Sequence, residues 1–153
     1  MIRLRDALPP GNILLNLDVE TYAEAVQRLA EPLRSDPRVS SWQELAAALT
    51  AKAQGPTAHL KYGVTLVHVR TTAVLDFVMT FGRLRQPVLD QAEPIQYILL
   101  IGIPIAMDAE YARLLGVLMR VLRDERLCAA FQRAQRPEEI LAVFERGEAG
   151  LAS

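Results

Sequence analysis

The sequence predicts an α/β fold, a mixed central β-sheet flanked by helices. Short apolar, β-branched runs fill the middle of the chain, and segments with helical apolar spacing bracket them at both ends. No repeat, low-complexity tract or linker-like composition shift divides the 153 residues, so 1–153 is expected to form one domain. With 51% hydrophobic and 23% charged residues, the chain is of ordinary globular composition. A chain of this size buries roughly 70% of its unfolded surface without needing staples.

Each element has its own signal. Pro9-Pro10-Gly11 marks a turn, and Ile13-Leu14-Leu15-Asn16-Leu17 behind it reads as a short strand. Thr21 and Glu24 have the spacing of a helix capping box, followed by Ala25, Val26, Leu29, Ala30 and Leu33 on one helical face. Pro32 limits that helix. Ser41 and Glu44 repeat the capping signal, with Trp42, Leu45, Ala46 and Leu49 as the next apolar stripe. Val64 to Arg70, rich in β-branched residues, predicts a strand. Val74 to Phe81 predicts another, with Leu75, Phe77, Met79 and Phe81 on one face at period two. Ile95 to Ile103, apolar at nearly every position, suits a central strand covered on both faces. The last third is helical, with stripes at Leu114/Leu115/Leu118/Val121/Leu122, Leu127/Cys128/Phe131 and Ile140/Leu141/Phe144. Pro137, Glu138 and Glu139 open the last helix, acidic at its positive end, and Gly147 is expected to stop it.

Seventeen basic residues against eighteen acidic ones give a net charge of -1, which provides no electrostatic footprint for nucleic acid or an anionic membrane. The lone Cys128 has no disulfide or metal partner at the usual spacing and reads as a core thiol. Met1-Ile2-Arg3-Leu4-Arg5-Asp6 lacks the apolar run of a signal peptide. The longest apolar stretch, Ile95 to Met107, is about 13 residues against the ~20 needed to insert across a bilayer. A cytoplasmic protein is therefore expected. No Walker loop, dinucleotide glycine fingerprint or metal-ligand cluster is present, so neither cofactor nor metal is expected. Ser35, Ser40, Ser41 and Ser153 lie in turn, cap or terminal settings unsuited to a Ser/His/Asp hydrolase.

Of the two histidines, His59 and His68, the second draws attention. It sits within a strand with Arg70 two residues on, hence on the same face, and with Lys61 and Lys52 upstream. A phosphohistidine requires such a setting: a neutral imidazole, available near pH 7, and cations aimed at the transferring oxygens. The simpler reading is a structural strand histidine among solvated charges. Asp76, on the less apolar face of its expected strand with Thr80, could orient an imidazole, although a polar residue at a sheet edge is simpler.

Gly63-Val64-Thr65-Leu66-Val67-His68-Val69-Arg70 resembles the G-I-A-I-P-H-x-R signature of the type-2 IIA domains of the phosphotransferase system, the fructose, mannitol and nitrogen-regulatory (PtsN-like) branch. Phe81-Gly82-Arg83-Leu84-Arg85-Gln86-Pro87-Val88 resembles the family's turn after a strand. Pro94 to Ile103, Leu114 to Glu125 and Ala134 to Leu141 follow its later elements in order, and Ile13 to Leu17 with the first capped helix fits upstream. The resemblance implies the IIA fold (phosphotransferase/anion transport protein-like) and a phosphocarrier that takes a phosphoryl group on His68 from the histidine protein HPr or an HPr-like donor. It would pass the group to a IIB domain of a sugar transporter, or signal to a regulatory target. Arg70, Lys52 and Tyr111 are the implied phosphoryl contacts. Lys52 stands at the family's arginine position, sixteen residues before the histidine, and Tyr111 at that of a second histidine. Val67 replaces the usual proline, and Thr57-Ala58-His59-Leu60-Lys61-Tyr62-Gly63 replaces a glycine-rich run. These departures leave open an alternative: a regulatory or interaction module that keeps the fold with impaired phosphotransfer and engages a partner through the surface around Val67 and Val69.

Overall fold

The helices are α1 (Leu4–Ala7), α2 (Tyr22–Ala30), α3 (Trp42–Gln54), α4 (Asp108–Leu122), α5 (Glu125–Arg133) and α6 (Pro137–Ala152), and the strands are β1 (Ile13–Leu17), β2 (Ala58–His59), β3 (Val64–Thr71), β4 (Val78–Asp90) and β5 (Glu93–Pro104). The structure, a computed structural model, describes residues 3–152. Met1 and Ile2, part of the N-terminal segment read above, and Ser153 lie outside the described residues. The five strands form one sheet in the order β1-β4-β5-β3-β2. β1 runs parallel to β4 and β3 parallel to β5, while β4–β5 and β2–β3 are antiparallel. β5 is thus central, as its nearly continuous apolar run implies.

Alternation along the strands sends side chains into two cores. Phe77, Met79, Phe81, Leu99 and Ile101 face α4, α5 and α6. There Phe81, Phe131 and Phe144 form a ring cluster, with centroids 4.9 Å apart for Phe81–Phe131 and 5.5 Å for Phe131–Phe144. On the other face Val67, Val69, Val78, Ile98 and Leu100 meet Leu29, Leu33, Leu45 and Leu49. Both predicted caps form: Thr21 Oγ1 accepts the Glu24 N–H at 3.1 Å and Ser41 Oγ accepts the Glu44 N–H at 3.3 Å. α2 gives way at Ala30 to a 3₁₀ turn, Glu31–Leu33, around Pro32.

Three sequence expectations are corrected. The strand expected from Val74 starts only at Val78, because the preceding backbone is claimed elsewhere. Ala73 O accepts from the Ser40 and Ser41 N–H groups, and the Leu75 N–H donates to Arg38 O. The Arg38 guanidinium takes Phe77 O. Leu75 is accordingly 68% exposed while Phe77, Met79 and Phe81 keep the buried face, and Asp76 lies in that turn with its carboxylate on the Phe77 N–H. The segment from Phe81 to Val88, likened to a turn, is continuous strand whose register shifts between Arg83 and Val88. The chain reverses instead at Gln91 and Ala92, both at positive φ. Gly147 does not stop α6, which continues to Ala152. A Cβ at Gly147 would overlap Val121 Cγ2, so this glycine lets α6 approach α4. β2 had no sequence signal, since two residues are too few to show a period.

Candidate functional site

On β3, Val64 and Leu66 belong to the core under α4 and α6, and His68 is the next residue pointing to that face. It lies opposite Ile101 of β5 and is half-buried. After β5 the chain turns and enters α4 at Asp108, which brings Tyr111, at the end of the first helical turn, over the imidazole. Tyr111 Oη lies 3.2 Å from His68 Nδ1, and the rings stack with centroids 6.0 Å apart at 27°. Among the described residues nothing hydrogen-bonds to His68 Nε2.

The electrostatics favour a neutral imidazole. Burial pushes the His68 pKa below its ordinary value, and the Lys52 ammonium, in the last turn of α3, pushes it the same way. Burial raises the Tyr111 phenol, with Arg70 opposing it, so the hydroxyl keeps its proton at neutral pH. Arg70 Nη2 donates to the Asp108 carboxylate, 2.6 Å from Oδ1 and 2.8 Å from Oδ2. The structure therefore brings His68, Tyr111, Arg70 and Lys52 into one electrostatic neighbourhood, with Arg70 committed to a carboxylate.

Sequence reasoning passed over Asp108. The only available signal was an acid at a helix start, which reads equally well as a response to the helix dipole. It also left His59 unplaced. His59 Nδ1 lies 2.9 Å from Thr65 Oγ1 and Nε2 lies 3.0 Å from Asp90 Oδ2, while the Thr57 hydroxyl donates to the same Asp90 oxygen at 2.9 Å. Both nitrogens are engaged, and the ring ties β2 to β3 and to the β4–β5 hairpin end. Asp76 stands near Arg38, whose charge it supports. The surface imagined around Val67 and Val69 does not exist, since these side chains are 1% and 8% exposed and lie in the core under α2 and α3. The Cys128 thiol lies in the core, as expected, and burial pushes it up to about 11. A groove of about 310 Å³ runs between α2 and α3, bordered by Val26, Gln27, Trp42, Ala46 and Ala53. None of the groups around His68 lines it, so this groove is separate from the chemically equipped site.

An imidazole that is neutral, fixed through Nδ1 and open at Nε2, with the Lys52 charge acting on it and Arg70 two residues on along the same strand face, can accept an electrophilic group at Nε2. Among the described residues no group of three His, Cys, Asp or Glu could hold a metal ion, and no helix is long and apolar enough to cross a membrane.

The family model described as "Phosphoenolpyruvate-dependent sugar phosphotransferase system, EIIA 2" matches residues 7–147. No curated protein matches in sequence. Among solved structures, the nitrogen regulatory protein IIA-Ntr of Neisseria meningitidis superposes with a TM-score of 0.81 at 20% identity, covering 92% of this chain and 98% of that one. IIA mannitol of Escherichia coli superposes at 0.68 and 19% identity, covering 87% and 95%. A chain from the E. coli complex of enzyme IIA-mannitol with phosphorylated enzyme IIB-mannitol does so at 0.70 and 18% identity, covering 88% and 94%. These likenesses carry the fold, a five-stranded mixed sheet with flanking helices.

Proposed function

The chain belongs to the phosphoenolpyruvate-dependent sugar phosphotransferase system EIIA 2 family, and from that premise we propose that it is a phosphocarrier that accepts a phosphoryl group on His68. The observation that carries this reading is the contrast between the two histidines: His59 has both ring nitrogens engaged, whereas His68 is held at Nδ1 with Nε2 open. The donor is an HPr-like phosphohistidine carrier. The acceptor is a IIB domain, the kind of partner named in the E. coli mannitol complex, or a regulatory target of the nitrogen branch. The protein acts in the cytoplasm, where these partners are.

In the acceptor tautomer Nδ1 carries the proton and donates it to Tyr111 Oη, which leaves the lone pair on Nε2. Nε2 attacks phosphorus, the P–N bond of the donor breaks, and its electron pair returns to the donor imidazole. The Nδ1 proton stays on the His68 ring, shared with Tyr111. Arg70 and Lys52 balance the charge of the arriving oxygens. Lys52 contributes a point charge in place of an arginine's fork, and a tyrosine holds the ring without adding a second titrating group near neutrality.

The test is incubation of purified protein with Enzyme I, HPr and labelled phosphoenolpyruvate beside His68→Ala and His59→Ala variants. Acid-labile, base-stable label is expected on wild type and His59→Ala and not on His68→Ala. An unlabelled wild type beside fully phosphorylated HPr overturns transfer from that donor.

A further inference from the structure

We propose that Asp108 is a positioning residue that competes with the phosphoryl group of His68 for the Arg70 guanidinium, so that the first turn of α4 is tied to β3 in the unphosphorylated protein and released in the phosphorylated one. This inference rests on the phosphocarrier reading of His68 and adds how that site reports its state.

Asp108 and Tyr111 stand three residues apart on α4 and therefore share a face. They reach His68 and Arg70, two residues apart on one face of β3. The two contacts form a pair of side-chain ties between the helix start and the strand. The ionic one is exchangeable: its side chains are 50% and 66% exposed, a setting in which an ion pair is weak and readily traded. Only Nη2 of Arg70 engages the carboxylate, and the remaining guanidinium donors have no partner among the described residues. A phosphoryl group brings nearly two negative charges against one for the carboxylate and offers three acceptor oxygens. It therefore outcompetes Asp108 and also repels it. Release does not strand Asp108, because its carboxylate stays at the positive end of α4, where the Met107 position supplies no side-chain cap. Phosphorylation thus exchanges a strand-to-helix tie for a strand-to-phosphoryl tie, and the α4 start becomes the surface that differs between the two states.

The test measures the phosphotransfer equilibrium with HPr for wild type, Asp108→Asn, Arg70→Ala and the double variant, with thermal midpoints confirming that each is folded. Asp108→Asn is expected to shift the equilibrium toward the phosphorylated form by about two- to fivefold, the worth of an exposed ion pair. That shift should shrink in the Arg70→Ala background, to the part owed to direct repulsion, and be reversed by Asp108→Glu. Backbone amide signals of residues 107–111 should move on phosphorylation of wild type and move less in Asp108→Asn. A labelled wild type with no shift for Asp108→Asn, or the same shift without Arg70, overturns the competition and leaves the phosphocarrier reading standing. A wild type that takes label neither from HPr nor from phosphoramidate overturns both.

Discussion

At the scale of single residues, a strand histidine becomes a candidate nucleophile through what surrounds it. Burial and the Lys52 charge both keep the His68 imidazole neutral, burial being the larger cause. A group whose pKa is lowered in this way takes up its proton only below its ordinary range, near pH 6.5. Phosphoryl acceptance should therefore hold steady as pH falls through 7 and decline only as it approaches the lowered value. Lys52→Met removes the repelling cation and moves the His68 midpoint back up, short of the ordinary value because burial remains, so the decline starts at higher pH. An NMR titration of the His68 ring protons checks this directly, and a midpoint that stays in place or falls would sink the assigned role of Lys52. His68, Arg70, Lys52 and Tyr111 were legible through the resemblance and its spacing. Asp108 was not, because its partner lies 38 residues away and nothing in the local sequence distinguishes it from any acid at a helix start.

At the scale of elements, signals with a local physical cause survived. The two side-chain caps, Thr21 and Ser41, and the apolar stripes act within one or two turns of chain, and helices formed where they predicted. The failures at Val74 and Gly147 share a different origin. Strand propensity at Val74 lost to hydrogen bonds offered by Arg38, Ser40 and Ser41, and Gly147 answers to the packing of α6 on α4. That packing yields a prediction with a sign. Helix propensity favours alanine over glycine by about 1 kcal/mol, while overpacking costs about 1–3 kcal/mol. Val121 is β-branched with a stiff χ1 in a helix, so it cannot swing clear of a new Cβ. With the new Cβ overlapping Val121 Cγ2 the cost falls toward its upper end, and Gly147→Ala should lose up to about 2 kcal/mol in urea unfolding. Made in a Val121→Ala background, the same change should stabilise instead; destabilisation in both backgrounds would refute the packing account.

At the scale of the whole molecule, a sheet covered on both faces buries nearly everything on its inner strands, including groups that gain nothing from it. Thr65 meets His59 and Thr71 Oγ1 accepts the Ala73 N–H, yet the fully buried Thr80 hydroxyl has no partner among the described residues. Thr80→Val keeps the shape and removes that group, so the protein should gain about 1 kcal/mol. For a chain of this length the gain corresponds to a Tm roughly 2–4 °C higher, read in a thermal melt with His68 labelling unaltered. A lower Tm would mean that the hydroxyl has a partner in solution. The α/β class, the starts of α2, α3 and α6, the buried stripes and the central place of β5 came from the order of residues alone, because periodicity, capping and propensity act over a few residues. Strand order and register were settled only when the chain closed on itself. They joined His59 to Asp90 across 31 residues, Tyr111 to His68 across 43 and Asp108 to Arg70 across 38. Such contacts depend on which strands become neighbours, and that choice is made by two cores packing at once, not by any local stretch of sequence.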